Sequence, residues 1–314
     1  MNSVAIIGAG QLGSRHLQAI ALHKEPLNIY LIDPCEQSTD TAISRFNEVD
    51  QYKNKHIFVE STVKNCPKSL FFAVISTNSR PRLQLLKQLL QQIEVKYILL
   101  EKFLFPLEHE YAEADDVIRK HGVKAFVNCA RRMWPNYQEI KKQLCKDANI
   151  RLNVQGINWG LASNAIHFLD LFYYLSGENQ ITMDSSNLTH ILTNKREGYI
   201  ELAGTLTGNI ESTNRFKLTS NAGEGISLEI IIESEERKYV INESKQLLTY
   251  YDDEVNLEKE FKVYYQSVLT HQVYEQLLAT GQCDLATFEE SATLHLKLLT
   301  AFNQFLGAKG GTIT

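Results

Sequence analysis

Three glycines and one aspartate set the first chemical possibility in this chain. Gly8, Gly10 and Gly13 follow the apolar run 4–7 and precede Leu17, Ile20 and Ala21 at helical spacing. In a strand–turn–helix of this kind the first glycine permits the tight turn and the second lets the backbone approach a pyrophosphate. The third lets the helix pack closely on the strand. The helix start, with Gln11 and Leu12 in its first turn, offers unpaired N–H groups and a partial positive charge to phosphate oxygens. Asp33 ends the next apolar run, where a carboxylate accepts hydrogen bonds from ribose hydroxyls and repels a 2′-phosphate. The pattern therefore predicts NAD in preference to NADP. The alternative is a structural glycine turn followed by an incidental acid.

Further candidates stand directly after apolar runs. Thr77-Asn78 lies in the polar turn after 70–75, and Glu101-Lys102 follows 97–100. In a doubly wound sheet the ligand lies at the carboxyl ends of the strands, which places these four residues with the glycine turn on the cofactor side. Lys102, partly desolvated near a cationic ring, can donate or accept a proton; the alternative for the Glu-Lys pair is a solvated strand end. His16 either lies near the phosphates or packs on its helix. His167 titrates near neutrality and has Asp170 three residues on, within reach on a helix. It is either a proton-transferring group or a satisfied, partly buried histidine. Arg131, Arg132 and Trp134 can grip an anionic group and stack on a sugar face, or serve packing and surface charge. Ser163 and Asn164 suit either a substrate contact or the N-cap of the helix that carries His167.

The elements that must position these residues can be read from periodicity. Strands at 4–7, 28–32, 57–60, 70–75, 97–100 and 125–128 alternate with helices near 39–49, 83–90 and 107–121. This predicts an α/β fold: an N-terminal Rossmann domain over 1–128 with a doubly wound parallel sheet. Pro135 opens a helix, 151–159 alternates as a half-exposed strand, and 164–175 forms a helix. Strands at 199–206, 209–218, 226–233, 238–241, 247–251 and 257–263 then predict a C-terminal α+β domain over 129–314. Its sheet is largely antiparallel and open-faced, with water on one side and helices on the other. Two helices, 264–280 and 287–306, close the chain.

The 314 residues are 44% hydrophobic with a net charge of −5, enough for two domains and unsuited to a nucleic-acid surface. No apolar run reaches the roughly 20 residues of a membrane span, and the N-terminus runs straight into a strand, so a cytoplasmic protein is expected. The five cysteines lack CxxC spacing, which points to free thiols and to no metal site.

Four motifs in order give the chain a family resemblance. Gly8 to Gly13 followed by Ser14-Arg15-His16 fits a GxGxxGxxH opening, Thr77-Asn78 a Thr-Pro-Asn turn, Glu101-Lys102-Phe103 a Glu-Lys-Pro motif, and His167 to Asp170 an HxxD motif. The chain resembles the Gfo/Idh/MocA family of nicotinamide-dependent oxidoreductases, which pair a Rossmann domain with an open-faced β-sheet domain. The resemblance implies hydride exchange between NAD and a hydroxyl or keto carbon of a sugar, sugar acid or nucleotide-linked sugar. It implies Lys102 and His167 as catalytic residues, and Gly8, Gly10, Gln11, Leu12, Gly13, Asp33, Thr77, Asn78, Glu101 and Lys102 on the cofactor. Arg131, Trp134, Ser163, Asn164 and His167 would face substrate, and a homo-oligomer is the expected state. Stretches 128–135 and 164–170 look like the branch found with bacterial surface-glycan pathways, including nonulosonic acid ones. Two departures matter: Phe103 stands for the motif's proline, and Ser163 for the catalytic aspartate four residues before the histidine, with Ala165 for a glycine. A serine with no nearby base does not take up a proton near neutral pH. A catalytically silent NAD-binding regulator and an NAD-dependent glycosidase are the alternatives.

Overall fold

A computed structural model describes residues 1–145, 147–177, 180–194, 196–210, 213–252, 256–307 and 312–313. The chain divides into two compact units, Met1–Asn128 with Tyr264–Glu289, and Cys129–Val263 with Glu290–Thr314.

In the first unit strands and helices alternate as β1 (Asn2–Ile7), α1 (Gln11–Ile20), β2 (Leu27–Ile32), α2 (Glu36–Asn47), β3 (Lys55–Glu60), β4 (Ser69–Ile75), α3 (Ser79–Gln92), β5 (Glu94–Leu100), α4 (His109–Lys120) and β6 (Lys124–Val127). Val4, Ala5, Ile6 and Ile7 are all buried, as in a strand covered on both faces. Strands β6-β5-β4-β1-β2-β3 lie side by side and parallel. Strand order reverses between β2 and β4 on either side of β1, with Ile7 in register with both Ile32 and Ile75. The residues after those three positions are Gly8, Asp33 and Ser76-Thr77, so the topological switch point gathers them at one sheet edge.

The second unit holds α5 (Pro135–Leu144), β7 (Arg151–Ile157), α6 (Leu161–Ser176), β8 (Ile181–Thr193), β9 (Ile200–Ile210), β10 (Asn214–Asn221), β11 (Ser227–Glu233), β12 (Lys238–Asn242), β13 (Leu247–Tyr251) and β14 (Asn256–Glu260). The sheet order among the described residues is β14-β13-β12-β11-β7-β10-β9-β8, antiparallel except for β7 with β10. Alternate residues Phe216, Leu218, Ile230, Ile232 and Ile241 are buried, and Phe172 of α6 meets Phe216 edge-on at 5.6 Å. The other face carries Arg151, Asn153, Arg215 and Lys217 around an open hollow of about 630 Å³.

Three expectations need correction. Strand β8 is absent from the sequence reading because ITMDSSNLTHILT is polar and its register shifts at Asp184/Asn187 and Leu188/His190, which breaks period-two alternation. The single run 209–218 is the end of β9 and the start of β10, two antiparallel neighbours. The segment after Val263 does not stay in the second unit: α7 (Gln266–Thr280) and β15 (Ala286–Thr287) return to the first, before α8 (Phe288–Leu306). Apolar burial drives that return. Leu269, Val273, Tyr274 and Leu277 of α7 are buried, Tyr274 sits edge-on to Phe71 at 5.6 Å, and β15 pairs antiparallel with β6. Among the described residues no helix is long and apolar enough to cross a membrane.

Candidate functional site

The glycine turn separates glycines the fold needs from one it does not. Gly8 has φ +94°, and a Cβ on Gly13 would stand 1.7 Å from the Gly8 carbonyl oxygen. Both positions require glycine for the turn and for helix–strand approach. Gly10 differs: its φ is −60°, open to any residue, and a Cβ there meets nothing within 4 Å. Gly10, Gln11 and Leu12 are exposed at the start of α1, while Gly13 is buried. Gln11 Oε1 accepts a hydrogen bond from Arg45 Nη1 at 3.1 Å.

Asp33 stands at the end of β2 and braces the same turn. Its Oδ2 accepts from Ala9 N at 2.7 Å and its Oδ1 from Cys35 N at 2.8 Å. A carboxylate has about four lone-pair sites, so it can still accept from ribose hydroxyls. Beside it a cavity of about 290 Å³ is lined by Ile7, Gly8, Ile32, Val63, Thr77 and Leu85, among others. Thr77 Oγ1 is buried there without a hydrogen-bond partner. A mostly apolar cleft, a carboxylate, an unsatisfied hydroxyl and a helix start with room over Gly10 fit the adenosine and pyrophosphate of a dinucleotide. Asn78 is exposed at the N-cap of α3.

Glu101 is placed otherwise than a solvated strand end. It is buried, and its Oε1 lies 2.8 Å from His16 Nε2 and accepts from Asn128 Nδ2 at 2.5 Å. His16, fully buried on α1, has its Nδ1 2.7 Å from Thr270 Oγ1, and Asn128 Nδ2 also donates to Gln266 Oε1 at 2.7 Å. Gln266 Nε2 donates to Thr270 Oγ1 at 2.7 Å, closing a five-residue network. Burial alone would raise the Glu101 carboxyl; His16, Asn128 and the neighbouring Lys102 charge together hold it below its ordinary value. His16 thus braces the end of β5 from behind Lys102. Its role is with Glu101, and two of its network partners come from the returning helix α7.

The Lys102–Phe103 peptide is cis, with phenylalanine at the motif's proline position. Buried Arg82 on α3 donates to the carbonyls of Thr77, Phe103 and Leu104, the last at 2.8 Å. One guanidinium thereby joins the turn after β4 to the segment after β5. Arg82 carries no signal of this role in the sequence, since an arginine in a polar helix start has the pattern of a surface residue.

In the second unit α6 begins at Leu161, earlier than expected, with Gly160 at the N-cap in the left-handed region (φ +78°). Neither Ser163 nor Asn164 occupies the cap. Glu201 of β9 supplies the capping oxygens, accepting from Ala162 N, from Ser163 N at 3.4 Å and from Ser163 Oγ at 2.5 Å. Asn194 Nδ2 adds a 3.5 Å bond to Ser163 Oγ, and Asn164 Nδ2 donates to the Trp159 carbonyl at 2.8 Å. A carboxylate 38 residues away in sequence therefore stands beside the serine that replaces the expected aspartate. His167 is one helical turn further along α6 and half-buried.

Asp170 pairs with Arg132 in a buried two-point contact, Oδ1 to Nη2 at 2.7 Å and Oδ2 to Nε at 2.9 Å. Burial pushes the Asp170 carboxyl up to about 6, against the pull of the guanidinium. Its acceptors serve Arg132, so Asp170, although within reach of His167 by helix spacing, is engaged elsewhere. Arg131 likewise pairs at two points with Glu243, at 2.7 and 2.8 Å, and lies 4.4 Å over the Phe168 ring. Its charge is offset by that carboxylate. Trp134 is buried against Tyr137 and Phe261, at ring distances of 5.9 and 6.2 Å.

No family model matches the chain, and no curated protein matches it. Solved structures do. UDP-N-acetylglucosamine 3-dehydrogenase GnnA from Acidithiobacillus ferrooxidans superposes with a TM-score of 0.74 at 13% identity over 96% of each chain. A Gfo/Idh/MocA family oxidoreductase from Vibrio cholerae gives 0.69 at 16% identity over 98% of this chain and 99% of that one. The transcriptional regulator Gal80p from Kluyveromyces lactis gives 0.73 at 16% identity, covering 96% and 88%. The chain has the two-domain fold of these proteins, a Rossmann domain and an open-faced sheet domain.

Proposed function

We propose that the protein is an NAD-dependent oxidoreductase of the Gfo/Idh/MocA type. Its substrate is the hydroxyl or keto carbon of a sugar, sugar acid or nucleotide-linked sugar. The observation that carries this reading is positional: Gly8, Asp33, Thr77 and Lys102 follow four adjacent strands, β1, β2, β4 and β5, of one parallel sheet. When bound, the nicotinamide accepts or donates the hydride. The chain does the rest. Asp33 accepts the ribose hydroxyls, the start of α1 with Gly10 holds the pyrophosphate, and Thr77 uses its unsatisfied hydroxyl. Lys102, fixed by the Glu101 network and the Arg82 bridge, moves the substrate hydroxyl proton, with His167 as second proton-transferring group. Ser163 donates to Glu201 and accepts from Asn194, and in this reading it also accepts from a substrate hydroxyl. The likeness to a nucleotide-sugar dehydrogenase supports the nucleotide-linked end of this substrate range. A cytoplasmic setting and a homo-oligomer go with this reading.

The second reading, a catalytically silent NAD-binding regulator, is favoured by Ser163 in place of a carboxylate and by the likeness to Gal80p. The experiment follows reduced-cofactor absorbance with NAD and a panel of sugars, sugar acids and nucleotide sugars. On the substrate that turns over, Lys102→Ala and His167→Ala are each expected to slow the reaction by about 100-fold or more. Unchanged rates in both would remove the catalytic assignment. Saturable NAD binding without turnover across the panel supports the regulator.

A further inference from the structure

Helices α1 and α7 meet through two polar rungs. The first is the His16–Thr270–Gln266 contact behind Glu101. The second lies seven residues further along the chain from His16, where His23, His271 and Glu275 converge. We propose that His23, His271 and Glu275 form a binding site for a divalent first-row transition-metal ion, represented by Zn²⁺. The site is separate from the dinucleotide turn and does not rest on the function proposed above.

The donor set and its spacing carry the inference. One ligand atom from each residue lies within 4.8 Å of the others. His23 Nδ1 is 2.6 Å from Glu275 Oε1, and His271 Nδ1 is 3.6 Å from the same oxygen. A tetrahedral zinc with bonds of about 2.0–2.2 Å separates its ligand atoms by about 3.4 Å, a value the two distances straddle. An ion enters by taking the place of the proton shared by His23 and Glu275, with the two imidazoles, whose ligand atoms lie within 4.8 Å of each other, closing on it. The hydrogen bond between those two explains neither the third residue nor its environment: His271 Nδ1 is buried and makes no hydrogen bond. An imidazole nitrogen held dry beside a carboxylate, beyond hydrogen-bond reach, is satisfied by a metal ion between them.

The local backbone supports the same geometry. His271 and Glu275 are four apart on α7 and share a face. His23 follows α1, its N–H bonded to the Ile20 carbonyl, and its side chain is nearly enclosed, with Tyr274 edge-on at 5.0 Å. The Glu275 side chain is 44% exposed, which leaves an entry path and room for water as fourth ligand. Lys24 and Lys55 lie near enough to act on His271, and Asp50 pairs with Lys55 at 3.1 Å. With a single carboxylate among the ligands and lysines nearby, a micromolar site is expected in place of a nanomolar one. A bound ion staples α7 to α1 beside Thr270, and so stiffens the brace behind Lys102.

The test is a Zn²⁺ titration of the full-length, chelator-washed protein against a chromophoric competitor, repeated with His271→Ala and Glu275→Gln. The proposal predicts one micromolar equivalent in the wild type, weakened about 30-fold or more in each variant, and a Zn²⁺-dependent rise in thermal midpoint in the wild type alone. Glu275→Gln keeps an acceptor for His23, so it decides the question if the alanine variant does not fold. Five cysteines offer a competing sink, which Co²⁺ separates: the site predicts visible d–d bands without a thiolate charge-transfer band. Binding weaker than about 100 μM, equal affinity in Glu275→Gln, or a thiolate band from the first equivalent overturns it.

Discussion

Ser163 Oγ donates a 2.5 Å hydrogen bond to Glu201 Oε2, linking the first turn of α6 to strand β9. The contact puts a carboxylate one hydroxyl away from the position where the resembled family carries its aspartate. Two roles are joined in it, the helix cap and the orientation of the serine. Glu201→Gln keeps an acceptor but loses the charge and is expected to lower stability by about 0.5–2 kcal/mol. In a double-mutant cycle with Ser163→Ala, the effects on kcat/KM are expected to be non-additive by about 0.5–3 kcal/mol. Additive losses would leave Glu201 with the cap alone.

Gly10 and Gly13 separate ligand binding from folding. Gly13→Ala drives a Cβ into the Gly8 carbonyl at 1.7 Å and is expected to destabilise the protein by several kcal/mol, about 3 or more. Gly10→Ala points into open space with a permissive φ and is expected to leave stability within about 1 kcal/mol. The same variant is expected to weaken dinucleotide binding about tenfold or more, because the methyl takes the space of the pyrophosphate. Thermal unfolding and nucleotide titration on the pair check both halves.

Asp170→Asn leaves the buried Arg132 guanidinium without its two-point partner. Breaking such a pair from one side costs about 3–5 kcal/mol, readable as a shifted denaturant midpoint with unchanged slope. A small effect would mean that Arg132 is satisfied by other groups, of which Glu290 lies 4.0 Å from Nη1.

The Glu101 network predicts a pH dependence with a definite sign. The folded-state carboxyl lies below its ordinary value of 4.5, so the folded protein holds this proton less tightly than the unfolded chain. Its contribution is present above that ordinary value and is lost as pH falls through the lower folded value. Denaturant unfolding of the wild type and Glu101→Gln, from about pH 7 down to about pH 3.5, should show the wild-type advantage shrinking on acidification. An advantage that grows on acidification would contradict the assignment.

Much of the cofactor half is legible from local pattern, because a glycine turn, an apolar run and a strand-end acid are close in sequence and each announces its own geometry. Lys102 and Asp33 follow buried strands, and the sheet rule places them. What the sequence hides is long-range. Glu201 reads as a charge within an ordinary strand, and its capping of α6 depends on a partner 38 residues away. His16 and Arg82 are polar residues in helices, where surface exposure is the default, yet both are buried by what packs over them. The return of α7 leaves no trace in its own composition, since the apolar residues it buries, Leu269, Val273, Tyr274 and Leu277, do not name the surface that covers them. Arg131 and Trp134 look available in sequence, and Glu243, Tyr137 and Phe261 occupy them.

The central claim is that the glycine turn and Asp33 hold NAD. Calorimetric titration of the wild-type protein with NADH and with NADPH tests it most directly. One site per chain is predicted, with NADH bound about tenfold or more tightly than NADPH because Asp33 accepts a free 2′-hydroxyl and repels a phosphate. Tighter binding of NADPH, or no binding of either dinucleotide up to about 1 mM, would contradict it.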